Sequence, residues 1–92
     1  MKLSEHVRST HSQDGAVVLD ILHGQMFRLN LVASQILELL KQGRAEREIV
    51  EHLSQEFGIE REILATDVCE FVEQLRQHHL LNERENQSHV AR

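Results

Sequence analysis

One cysteine, Cys69, in a chain of 92 residues leaves no partner within the chain for a disulfide, which excludes a cross-linked secreted scaffold and fits a reducing compartment. Proline is absent, and no Pro- or Ser-rich linker divides the chain into separately folding parts. Long apolar runs are missing too, because none approaches the roughly 20 residues that a membrane-spanning helix needs. The opening Met1-Lys2-Leu3-Ser4 lacks the apolar core of a secretory signal, so the expected location is the cytoplasm. Positive charge is scarce: 10 Lys and Arg stand against 15 Asp and Glu, a net charge of -5. Nucleic acids and anionic membranes are held by clustered Lys and Arg, so neither is an expected partner.

What is present is ordinary for a folded protein, with 40% hydrophobic and 27% charged residues. A chain this short supports one core and leaves no room for a separate catalytic domain. The first 30 residues carry alternation and turn chemistry, and the remainder carries helical spacing. No internal repeat or low-complexity block interrupts them.

Ala16 to Leu29 has the pattern of a hairpin around Leu22-His23-Gly24. A two-residue loop would place Met26 and Arg28 on the face of Val17, Leu19 and Ile21, mixing charge into the core. A three-residue loop with Gly24 left-handed gathers Val17, Leu19, Ile21, Phe27 and Leu29 on one face instead. That register is the expectation, with Val18, Asp20, Met26 and Arg28 on the open face and Asp20 diagonal to Arg28. A third strand is expected around His6 to His11, on a weaker pattern.

Three helices follow. Asn30 is a suitable N-cap for Leu31 to Gln42, whose Val32, Ile36, Leu37 and Leu40 form an apolar stripe that Gly43 ends. A second helix is expected from Ala45 to Phe57, with Ile49, Val50, Leu53 and Phe57 inward and Gly58 as terminator. A third is expected from Arg61 to His79, where Leu64, Val68, Phe71, Val72 and Leu75 repeat at helical spacing. Leu80 and Leu81 close the core behind it, and each fully buried Leu, Ile or Phe contributes about 1.5–3 kcal/mol. The reading is an α+β domain over residues 1–81 with a polar, flexible tail over 82–92.

The segment Asp14-Gly15-Ala16-Val17-Val18-Leu19-Asp20-Ile21-Leu22-His23-Gly24-Gln25-Met26-Phe27-Arg28-Leu29-Asn30 resembles the opening of PqqD-like domains, also called RiPP recognition elements. Ala33, Ile36, Leu39-Leu40, Gly43, Glu48-Ile49, Leu53, Phe57, Val68, Phe71, Leu75 and Leu80-Leu81 are similar to that family's helical half. The resemblance spans residues 10 to 81 and rests on a hydrophobic pattern. It implies a winged-helix-like fold of a three-stranded antiparallel sheet followed by three helices. It also implies that the leader of a ribosomally made precursor peptide adds as a strand beside the third strand and rests on the third helix. A separate modifying enzyme or peptidase then acts on that peptide. The chain is similar to discrete members, as in cofactor or lasso-peptide pathways, with no enzyme fused to it.

Strand addition needs a free sheet edge, whose main-chain groups give affinity while side-chain pockets give specificity. The candidate edge is Gln25, Met26, Phe27, Arg28 and Leu29. The family geometry sets it against Leu64, Val68, Phe71 and Leu75, with Asp67 and Arg28 as rim charges. Phe27, Phe71 and Leu75 fit a plain core role better than a ligand-facing one.

Other chemistries lack support in the sequence. The third helix carries Glu60, Glu62, Asp67, Glu70 and Glu73 against Arg61 and Arg76, which disfavours a winged-helix DNA regulator. His52, His78 and His79 match no closed metal site, so neither metal nor cofactor is expected. Cys69 has no adjacent base and is expected to be a half-buried packing residue, so no catalytic residue is assigned. An adaptor that pairs its own free edge with a second copy is the remaining rival, and the chain is expected to be a monomer or a homodimer.

Overall fold

The computed structural model describes residues 2–82. Within them lie strands β1 (Lys2–Leu3), β2 (Val7–Ser12), β3 (Gly15–Asp20) and β4 (Gln25–Asn30). Helices α1 (Leu31–Lys41), α2 (Glu46–Phe57) and α3 (Arg61–Gln77) follow, and strand β5 (Leu81–Asn82) comes last. The α+β architecture expected from the sequence is present: an antiparallel sheet in the order β2-β3-β4, then three helices. The weak pattern at His6 to His11 forms β2. A feature with no sequence signal is the small β1-β5 sheet, which pairs Leu3 with Leu81 and Lys2 with Asn82. Asn82, assigned above to the tail, therefore belongs to the fold, and residues 83–92 lie outside the described residues.

The hairpin register differs from the expected one. Val18 faces Phe27 and Ala16 faces Leu29, so the loop is the four residues Ile21 to Gly24. Ala16, Val18 and Asp20 point inward and are buried, while Leu19 and Ile21 are 40% and 62% exposed. Phe27 and Leu29 pack on the core as expected.

Two local causes fix this register. Gly15 lets the Leu29 carbonyl approach so closely that a Cβ at position 15 would collide with its oxygen. Asp20 accepts hydrogen bonds from the His23 main-chain N–H at 3.1 Å and from His23 Nδ1 at 2.8 Å, tying off the loop. Burial pushes the Asp20 carboxyl up, but the His23 hydrogen bonds and the charges of His23 and His6 outweigh it and hold the group below its ordinary range. A polar side chain thus takes an inward place that alternation of apolar residues assigns to Leu19 and Ile21. Asp20 is consequently on the opposite face of the sheet from Arg28.

Helix α1 lies across the inner face of β3 and β4. Its start is capped by Asn30, whose Oδ1 accepts from the Ala33 N–H at 2.8 Å, and it ends one residue short of Gln42. His11 and Lys41 link β2 to this helix, at 2.9 Å from Glu38 and 3.2 Å from Ser9 Oγ. Helix α2 packs on α3, and left-handed Gly58 ends it. Helix α3 stops at Gln77, short of the expected His79, because His79 turns the chain at φ 59° so that Ser4 N–H donates to Leu80 O. Ile36, Leu37, Ile49, Leu53, Leu64, Val68 and Val72 join Val18 in one continuous aliphatic core between the sheet and the helices. Cys69 is exposed, contrary to expectation, because it lies off the inward stripe of α3.

Candidate functional site

Among the described residues β4 has a neighbour on one side alone, β3. The Ile21 N–H donates to His6 O at 2.9 Å across the β2 side. Main-chain groups alternate in direction along a strand, so Asp20, Val18 and Ala16 direct theirs toward β4. Their partners Gln25, Phe27 and Leu29 answer them. Met26 and Arg28 are left directing N–H and C=O outward, away from the sheet. Their side chains are exposed on the outer sheet face, and Met26 is 60% exposed.

A groove of about 680 Å³ adjoins this strand where it enters α1. Asn30, Val32, Ala33 and Ile36 form one wall, and Asp67, Glu70, Phe71, Glu73 and Gln74 of α3 form the other, with Ile59 from the segment before α3. Phe27 holds β4 to the end of α3, its ring centroid 4.8 Å from that of His78. The groove thus has apolar surface from Val32, Ile59 and Phe71 and an acidic rim from Asp67, Glu70 and Glu73. Arg76 sits 3.2 Å from Glu73.

The ten candidates separate by position. Gln25, Met26 and Arg28 are exposed on β4, and Phe27 and Leu29 are half-buried beneath it. Asp67 and Phe71 line the groove. Leu64, Val68 and Leu75 are 0%, 1% and 3% exposed, so they support the groove wall from inside the core and present no surface to a ligand. Asn30, Val32, Ala33, Ile36, Ile59, Glu70, Glu73 and Gln74 line the groove too and were missed. Asp67, Glu70, Phe71 and Gln74 repeat at i, i+3, i+4 and i+7, the stripe of α3 next to the core stripe, and that spacing was readable. The contribution of α1 was not, because it depends on how two helices cross.

The family described as Coenzyme PQQ synthesis protein D (PqqD) matches residues 15–81. Among curated proteins none matches the chain. Two solved structures superpose closely. TbiB1 in complex with the TbiA(beta) leader peptide is 34% identical, with a TM-score of 0.80 over 89% of this chain and 95% of that one. Lasso peptide synthetase B1 complexed with the leader peptide is 24% identical, with a TM-score of 0.79 over 86% of this chain and 93% of that one, a likeness of fold. With a family match over most of its length, and a β4 edge and α3 groove built from the matched segment, the chain belongs to the PqqD family.

Proposed function

We propose that this protein captures the leader segment of a ribosomally synthesised precursor peptide as an added strand on β4 and presents it to a separate modifying enzyme or peptidase, without catalysing a reaction itself. The observation that carries the reading is the outward main chain of Met26 and Arg28 on a sheet edge that adjoins the α1–α3 groove. An extended peptide satisfies those groups whatever its sequence, each hydrogen bond contributing about 0.5–1.5 kcal/mol net. Specificity falls to side chains that reach Val32, Ile59 and Phe71, and to the charges of Asp67, Glu70 and Arg28. The 34% identity to TbiB1, a protein bound to a leader peptide, supports the same role.

The deciding measurement is a heteronuclear NMR titration with the leader half of a short precursor encoded beside this gene. Saturable shifts at Gln25 to Leu29 and along the groove side of α3 are expected. Absence of shifts with that leader, together with shifts on α3 from duplex DNA, would replace peptide capture with gene regulation. Sizing with and without peptide tests the second-copy adaptor, in which a dimer dissociates as peptide occupies β4.

A further inference from the structure

Where β2 begins and β3 ends, three ligand-type side chains meet away from the groove. His6 precedes β2, Asp20 closes β3 and His23 lies in the hairpin loop. One ligand atom from each lies within 4.8 Å of the others. His23 Nδ1 is 2.8 Å from Asp20 Oδ2, and His6 Nε2 is 3.6 Å from Asp20 Oδ1. The imidazole rings stand nearly edge to face, with centroids 5.8 Å apart.

This cluster differs from a chance gathering of surface acids. Its carboxylate side chain has no solvent exposure, and a buried carboxylate persists only with donors or cations around it. His6 Nε2 is enclosed and has no hydrogen-bond partner, since 3.6 Å from the carboxylate exceeds hydrogen-bond length. An enclosed polar nitrogen left idle costs stability, and a cation between it and Asp20 Oδ1 gives that nitrogen a partner.

We propose that His6, Asp20 and His23 form a binding site for one divalent transition ion of the Zn²⁺ class. Two imidazole nitrogens and one carboxylate oxygen are a donor set such ions take, whereas Ca²⁺ and Mg²⁺ favour oxygen alone. Zinc bonds of about 2.0–2.2 Å in tetrahedral geometry set ligand atoms about 3.3–3.6 Å apart. The 3.6 Å from His6 Nε2 to Asp20 Oδ1 lies at that spacing, whereas the 2.8 Å from His23 Nδ1 to Asp20 Oδ2 is the hydrogen bond that the ion replaces. His23, with its side chain 50% exposed in the loop, has the freedom to swing its nitrogen toward His6. The fourth position opens to water on that side. Bound there, the ion staples the start of β2 to the loop that leads into β4, stiffening the hairpin that carries the free edge.

The test uses the full, tag-free chain, stripped with chelator and titrated with Zn²⁺ by calorimetry and by NMR of the histidine rings. Saturation at one equivalent is expected, with the His6 and His23 ring signals moving together. His23→Ala, a change at an exposed loop position, weakens binding at least about tenfold, as does Asp20→Asn. His79→Ala leaves it unchanged and controls for the adjacent His78–His79 pair. Lack of saturation at one equivalent, wild-type affinity in a folded His23→Ala protein, or ring shifts confined to His78 and His79 would each overturn the assignment.

Discussion

Asp20 and His23 are joined twice, main-chain N–H to Oδ1 at 3.1 Å and imidazole Nδ1 to Oδ2 at 2.8 Å, so one buried carboxylate closes the loop that launches β4. Position 20 therefore sets which residues of the hairpin face the core.

The linkage to pH follows from that pair. The folded-state carboxyl of Asp20 is held below its ordinary value, so its contribution to stability is complete above the ordinary carboxyl pKa of about 3.9 and is lost as pH falls through the lower folded value. Thermal melts from pH 7 down to about 2.5 should show wild type losing Tm on that acid limb. Asp20→Asn should start from a lower Tm at pH 7 and lose less on acidification, and parallel curves for the two proteins would remove Asp20 from the acid response.

Arg28→Pro deletes a main-chain donor that points away from β3. Edge strands tolerate proline when that N–H is outside the ladder, so the protein should fold while leader affinity falls about fivefold, the value of one hydrogen bond near 1 kcal/mol. Arg28→Ala keeps the donor and separates the side-chain contribution. Calorimetry of both variants against the leader reads the difference, and an unchanged Kd in folded Arg28→Pro would place the peptide elsewhere.

Leu64 and Phe71 occupy adjacent stripes of α3 and should fail differently. Leu64→Ala removes a side chain with 0% exposure and should cost about 2–5 kcal/mol in urea unfolding. Phe71→Ala opens the groove wall, so its leader affinity should drop by a larger factor than its stability loss explains when binding is measured well below the unfolding transition. Equal binding by Phe71→Ala and wild type would exclude the groove from recognition.

Two glycines supply a test of the register. An alanine Cβ at Gly15 would run into Leu29 O, at φ +154°, so Gly15→Ala adds a backbone clash to about 1–3 kcal/mol of strain and should abolish or shift the β3–β4 pairing. Gly24, at φ +68°, has open space around its Cβ position, and Gly24→Ala should cost only about 1–2 kcal/mol. Amide hydrogen exchange of Val18 and Phe27 distinguishes a lost register from a merely weaker loop.

Much of this fold was legible as local chemistry. Asn30 as N-cap, Gly58 as helix terminator, left-handed Gly24 and the spacing of Leu64, Val68, Val72 and Leu75 are each set by neighbours within a turn or two. Phe27 and Leu29 inward, with Met26 and Arg28 outward, also followed from alternation. The β3 face did not, because alternation of apolar residues favours Leu19 and Ile21 over Val18 and Asp20. It gives no weight to a carboxylate that recovers its desolvation cost through two hydrogen bonds across the loop.

The sequence by itself determined the main elements, their order and the acidic character of α3, since propensity, capping and charge act over short stretches of chain. Only tertiary structure decided that Asn82 pairs with Lys2, that α1 and α3 diverge to leave a groove beside β4, and that His6 meets Asp20 and His23. These depend on residues far apart in the chain being brought together by core packing. No local pattern encodes the crossing of two helices or the meeting of two strand ends.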